Sequence, residues 1–469
     1  MKNYQYSSEK EILNHAKILE GLTFFEIEKL SAFKHERNKK NKGDQGNFIE
    51  KFGFGIEGNN LVEPDFIDAK IELKVCPLKI SRGQLVVKER TKICSINYKN
   101  LVKEVWFDSS ARKKLRKILF VFYHWNKNSW GNQKIEKVVL WQLKSDEALI
   151  SQEWRSIKEV VKQGRAHLLT ESWYKALSPN TSGSGGGADN VEQPIQNISK
   201  FAKKRAFSLK RPFVNQYWES LIYPNSFESV QETLELKVED DIEKKLIKLF
   251  GSFVGKSIQE ISKELNIEVG NAKNTTNLII KRILKFRNFS SRIKEFEQAG
   301  IVIKTVPVNK NNNYKPYEAT SFPVVRFKEL IQDRDYYCSS LSEQLTRIFF
   351  IPIHREKRNT PLPKAILLQP FFWSPDQKEE ETIRNEWKAT IDIIKKGIKV
   401  EKVSWGESFR ESNNLPKSSG TKILHMRPHA KDSTDRDEDA YGTSVTKQSF
   451  WLNQKFVQKI ISQSFRSFR

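Results

Sequence analysis

The chain repeats itself, and that limits its fold more than any other feature. NFIEKFGF (Asn47–Phe54) and NLIIKRIL (Asn277–Leu284) stand 230 residues apart, and the same offset relates IELKVCP (Ile71–Pro77) to IVIKTVP (Ile301–Pro307) and KILFVFYH (Lys117–His124) to RIFFIPIH (Arg347–His354). One offset across three blocks is the mark of a duplicated domain. Further on, KVVLWQ from Lys137 matches KAILLQ from Lys364, and QEWRSIKEVVKQG matches NEWKATIDIIKKG, with the offset drifting as small loop changes would make it. Near the ends, SLKRPF (Ser208–Phe213) is set against VTKQSF (Val445–Phe450). A chain of 469 residues is too long for one ordinary core. The expectation is two lobes of one fold, 1–237 and 249–469, joined by the charged stretch at 238–248.

Periodicity gives the elements of each lobe. IELKV, KILFVFYH and KVVLWQL are short β-rich runs, and ISQEWRSIKEVVKQG puts Trp154, Ile157, Val160 and Val161 on one helical face. Strands interleaved with helices predict α/β lobes, each a mixed central sheet flanked by helices. SPNTSGSGGGADN (Ser178–Asn190) reads as a flexible loop from its Gly and Ser content, with HAKDSTDRDEDAYG as its charged counterpart.

Charge indicates the partner. Lys and Arg number 81 against 57 Asp and Glu, a formal +24, which favours a polyanion through counterion release. The basic residues are spread among aromatics instead of gathered in one amphipathic helix, so nucleic acid is favoured over a membrane surface. No run reaches the roughly 18 apolar residues of a spanning helix, and MKNYQYSSEK lacks a signal-peptide centre, so a cytoplasmic protein is expected. Three scattered cysteines, Cys76, Cys94 and Cys338, predict neither a disulfide framework nor a Cys-based zinc site.

The stretch EPDFIDAKIELK (Glu63–Lys74) sets Asp65 and Glu72 beside Lys74. Such a group is either a solvated strand edge or a metal site. Across the repeat Lys74 is kept as Lys304, but Glu72 becomes Val302, Glu50 becomes Ile280, and Asp65 falls opposite Glu295. Two acids on separate elements vanishing together fits members of one site better than unrelated surface charges. Side chains alternate along a strand, so Glu72 and Lys74 share a face while Ile71, Leu73 and Val75 take the other. A turn over Phe66–Lys70 would bring Asp65 beside Glu72. Adjacent carboxylates repel unless a cation compensates, and hard oxygen ligands suit Mg²⁺. Two other patterns carry less. Gly53, Gly55 and Gly58 match G-x-G-x-x-G but follow a helix-like run instead of a strand, and Pro428 separates His425 from His429.

The run from Gly43 to Pro77 resembles the active-site region of MutH and of the related two-lobed, GATC-cutting type II restriction endonucleases. In the second half GIVIKTVPV, RIFFIPI, FFWSPDQKEEETIRNEW, HMRPHA and TKQSFWLNQ resemble successive MutH segments. The resemblance implies the PD-(D/E)xK nuclease fold, with Asp65, Glu72 and Lys74 catalytic, Glu50 a supporting acid and Arg116 an assisting, positively charged residue. It implies DNA contacts at Arg427, Pro428 and Lys447 in the second lobe, and at Pro179 and Lys210 in the first. The expected protein is a Mg²⁺-dependent endonuclease on double-stranded DNA, with a catalytic first lobe and a DNA-binding second lobe. It would be a monomer that pairs transiently on DNA, beside a methyltransferase acting on the same site without needing to bind. A repair nickase and a non-catalytic DNA-binding protein are the alternatives.

Overall fold

The computed structural model describes every residue except 1–5, 7, 32–42, 57–62, 82, 127–128, 183–189, 196–198, 238–239, 268–274, 289, 334, 406–407 and 468–469. The chain divides into two units, Met1–Pro224 and Asn225–Arg469. The division therefore precedes the stretch expected to link the lobes. Phe227 and Glu228 already pair with Arg292 and Ile293 of the second unit. Most of the expected linker is the start of a helix, Ile242–Gly251, with Asp241 as its N-cap and Leu246 and Phe250 buried. The charges of VEDDIEKKLIK hid that i, i+4 apolar pair.

In the first unit, β1 (Glu72–Ser81) is the centre of a four-stranded sheet with β2 (Gln84–Val87), β4 (Lys117–His124) and β5 (Lys134–Gln142). β1 runs parallel to β4 and the outer pairs are antiparallel, so the sheet is mixed as expected. Both faces are covered. Ile71 and Leu73 pack with Leu119, Val121 and with Ile12 and Ala16 of α1 (Glu9–Ile18). Cys76 and Leu78 pack with Phe120, Phe122 and with Trp154 and Ile157 of α3 (Glu147–Lys162). A smaller sheet sets β7 (Arg205–Leu209) between β3 (Thr91–Ser95) and β6 (Leu177–Thr181). Two further helices complete the lobe, α2 (Ser110–Leu115) before β4 and α4 (Arg211–Ile222) after β7.

The second unit repeats the plan. Its helices α5 (Ile242–Gly251) and α6 (Thr275–Ile283) precede β8 (Ile301–Asn309), which is parallel to β10 (Arg347–His354). The pairing Glu72 with Ile118 becomes Val302 with Ile348, the 230-residue offset seen in sequence. β12 (Gln448–Leu452) lies between β9 (Thr320–Val324) and β11 (Leu424–Pro428), followed by α8 (Gln454–Ser467). An ion pair repeats too: Lys117 binds Glu9 in the first lobe and Arg347 binds Glu243 in the second.

One carboxylate per lobe fixes the smaller sheet. Glu153, beside Trp154 on α3, accepts the backbone N–H groups of Lys175, Ala176 and Leu177. Glu386, beside Trp387 on α7 (Gln377–Lys396), accepts those of Lys422, Ile423 and Leu424. Three successive amides on one carboxylate hold the entrance to β6 and β11 in the same shape. Ser178–Thr181 is consequently strand, not loop; residues 183–189 of the expected loop lie outside the described ones.

These anchors also reset the register near the lobe ends. Leu177 pairs with Leu209, and Leu424 with Leu452. The true equivalents are FSLKRPF (Phe207–Phe213) and FWLNQKF (Phe450–Phe456), so SLKRPF does not correspond to VTKQSF and Lys210 falls opposite Asn453. Lys204 is the partner of Lys447: each offers its carbonyl to a strand-end amide, Ser182 to the first and His429 to the second.

Replacing Glu153 or Glu386 by Ala removes the acceptor of three amides, two of them on buried residues, and each variant is expected to lose about 2–4 kcal/mol of unfolding free energy. Chemical denaturation checks this, and a loss below about 0.5 kcal/mol would show the contacts to be incidental.

Candidate active site

The acids come together at the start of β1. The chain turns back between Phe66 and Ile71, whose backbones exchange hydrogen bonds at 2.9 and 3.2 Å, with Lys70 left-handed at φ 55°. This turn lets Asp65 Oδ2 accept the Leu73 amide at 2.8 Å, one residue from Glu72. The expected turn is therefore present, and it fixes Asp65 through the backbone of the strand.

Glu72 differs from the strand-edge picture. It is only 1% exposed, because its face of the sheet is covered as well. A buried carboxylate needs partners, and Glu72 has two ammonium groups. Lys74 Nζ donates at 2.5 Å, and Lys114 Nζ lies 3.1 and 3.2 Å from its two oxygens. Burial works against the Lys74 ammonium, but Glu72, with help from Asp65 and Glu50, outweighs it and holds the pKa above the ordinary lysine value.

Glu50 reaches the same group from a π-helical turn, Ile49–Gly53. Burial, then the negative charge of Asp65 and of Glu72, push its carboxyl above the usual range despite Lys74 and Lys114. Three carboxyl groups and two lysines thus share one field. Among the described residues, no three His, Cys, Asp or Glu side chains stand in a finished metal cage. The donor set still fits Mg²⁺, which is commonly held by one or two carboxylates with water and phosphate oxygens completing its shell.

Arg116 does not join the group. It is exposed at the end of α2, where its charge acts on Glu147. Lys114, two residues earlier, takes the inward place, for which helical spacing of KKLRK gave no unique signal. Lys113 beside it binds Glu63 at 2.6 Å, tying α2 to the segment that leads to Asp65.

The second lobe has the scaffold without the acids. Glu295, opposite Asp65, caps the short helix Val230–Thr233 by accepting the Val230 and Gln231 amides at 2.8 and 3.2 Å and the Ser229 hydroxyl. Ile280 is buried in an apolar core. Lys304 donates to the Ser321 carbonyl at 2.5 Å and lies over the Phe322 ring; burial lowers its pKa to about 8.

The residues expected to contact DNA separate by lobe. Arg427 and Pro428 are exposed at the end of β11, with the Arg427 guanidinium 5.0 Å from the Trp451 ring centre, and Lys447 is half-buried against Asp435. Pro179 and Lys210 are interior. The Pro179 carbonyl accepts from Arg205 at 2.7 Å, while Lys210, 5% exposed, donates to the Tyr174 carbonyl and offsets Glu153. The strand register sets Thr181 and Lys204 opposite Pro428 and Lys447, so Pro179 and Lys210 are not their equivalents. His425 is buried and only His429 of that pair is exposed.

Comparison with known proteins finds likeness in both lobes. The MutH family (DNA mismatch repair enzyme MutH) matches residues 54–153 and 284–386, one segment in each lobe and again 230 residues apart. The lobes are MutH-like. The type II restriction enzyme Sau3AI of Staphylococcus aureus is 28% identical over 97% of this chain and 98% of its own length. The mismatch repair protein MutH of Photorhabdus laumondii is 26% identical over 48% of this chain and 94% of its own, and that of Vibrio campbellii 25% over 37% and 70%. Over its whole length the chain is similar to a type II restriction enzyme, and segment by segment in each lobe to MutH. No described helix is long and apolar enough to cross a membrane.

Lys304 supplies a pH test. Its folded pKa of about 8 lies below the ordinary 10.5, so between these values the unfolded chain binds the extra proton and stability rises with pH. Lys304→Met should therefore be more stable than the parent near pH 7, with the gap narrowing as pH climbs through that window. A constant gap in denaturation midpoints would contradict it.

Proposed function

We propose that the chain is a Mg²⁺-dependent type II restriction endonuclease that hydrolyses double-stranded DNA at a short palindromic site, GATC, in the cytoplasm. The observation that carries this reading is the convergence of Asp65, Glu72, Lys74 and Glu50 in one lobe, within a chain matched almost end to end by a type II restriction enzyme. The mismatch repair proteins cover one lobe's worth of chain, which disfavours a repair nickase.

Asp65 and Glu72 would hold the metal, with Glu50 at its edge. Bound there, Mg²⁺ supplies positive charge to the scissile phosphate and lowers the pKa of an attacking water. Lys74, already bound to Glu72, orients that water or meets charge developing on phosphorus. Lys114 donates to the buried Glu72 carboxylate and fixes its orientation. The second lobe, which has Val302 and Ile280 in place of acids, grips DNA through Arg427, Pro428 and Lys447. One active lobe per chain cuts one strand, so a double-strand break needs two chains paired transiently on the site. A methyltransferase acting on the same sequence would protect the host without binding this chain.

Purified protein should linearise plasmid with Mg²⁺ and leave it intact with EDTA; nicked circles as the final product would favour the nickase. Glu72→Ala should lower cleavage about a thousandfold or more while DNA binding survives. Lys114→Ala should lose about a hundredfold and Arg116→Ala little. A fully active Glu72→Ala, or an inactive Arg116→Ala that folds normally, would overturn these assignments.

A further inference from the structure

The first lobe carries a brace on the turn that presents Glu50. From α1, His15 Nε2 lies 2.7 Å from the Gly53 carbonyl, at the end of the π-helical turn. The Tyr6 hydroxyl donates to the next carbonyl, Phe54, at 3.3 Å. The His15 ring packs at 5.6 Å from Tyr6 and 5.5 Å from Phe54. α1 is itself fastened to the sheet by Glu9 to Lys117 at the start of β4, and the turn that follows it by Glu20, which accepts the Val138 amide in β5. A carbonyl at a helix end needs a donor, and here a side chain from a distant element provides it.

The second lobe shows what changes when the acid is gone. The turns correspond through Gly55 and Lys285, both left-handed at φ 69° and 58°. In the first lobe the Phe54 amide reaches back to Ile49, five residues; in the second the Leu284 amide reaches Ile280, four, and α6 stays regular. The ion pair from the first helix persists as Glu243 with Arg347. His15, six residues after Glu9, has become Leu249, six after Glu243, packed in the same apolar core as Ile280. The donor and the acid are missing together, while the helix and its ion pair remain.

We infer that His15 is a positioning residue for Glu50: by donating to the Gly53 carbonyl it holds the wide turn that aims Glu50 at Asp65 and Glu72. π-helical turns of this sort recur at functional sites because they redirect one side chain without breaking the helix. The functional part of the inference rests on the metal-site reading above; the mechanical part does not.

Two variants of the full chain test it. His15→Phe keeps a ring between Tyr6 and Phe54 and removes the donor; His15→Gln restores a donor. Without metal, amide hydrogen exchange over 53–56 should quicken in His15→Phe, return towards the parent in His15→Gln, and stay unchanged in β1 and β4. Mn²⁺ binding to the DNA-free protein, followed by electron paramagnetic resonance, should weaken about tenfold in His15→Phe and no further when His15→Phe is added to Glu50→Gln. Unchanged exchange in His15→Phe, or weakening that persists in the Glu50→Gln background, would overturn the assignment. If the parent holds no Mn²⁺ that Asp65→Ala removes, the endonuclease reading falls instead, and the exchange data still decide the brace.

Discussion

The first lobe is organised around the burial of Glu72. A carboxylate almost out of contact with water costs several kcal/mol unless paired, and this one is paired twice, by Lys74 from its own strand and Lys114 from α2. Those contacts fix where α2 must lie against β1, and Asp65 follows because it is bound to the next backbone amide. The same tightness leaves the site unbalanced: burial and the charges of Asp65 and Glu72 raise the proton affinity of Glu50 even beside two lysines. Such a field favours one more hard cation, and DNA phosphate would share it.

The duplication, the strands and the Asp65, Glu72, Lys74 cluster were legible in sequence because each depends on local spacing. Alternation along IELKV gave the shared face of Glu72 and Lys74, and the loss of acids in IVIKTVP gave the asymmetry of the lobes. What escaped was decided by tertiary register. Lys210 matched Lys447 by type, yet the pairing of Leu209 with Leu177 carries it inside, against Glu153. Arg116 and Lys114 differ by half a helical turn, and only the packing of α2 says which faces inward. Likewise the helix from Ile242 hid in a charged run because just two of its residues, Leu246 and Phe250, are fully buried.

Comparing the lobes separates scaffold from chemistry. Glu153 and Glu386 hold identical amide triplets and survive in both, as does the ion pair at the start of the central strand. Acids with a structural task persist. Glu72 and Glu50 stand opposite valine and isoleucine, and Glu295, opposite Asp65, caps a helix.

Lys304 shows how such an inheritance can run in reverse. An ammonium left in an apolar pocket, with a carbonyl for its partner, is a standing imbalance in the second lobe. Position 302 shares its strand face, so a carboxylate returning there would meet a waiting counter-charge. The first step back towards a working site would then relieve the fold instead of burdening it.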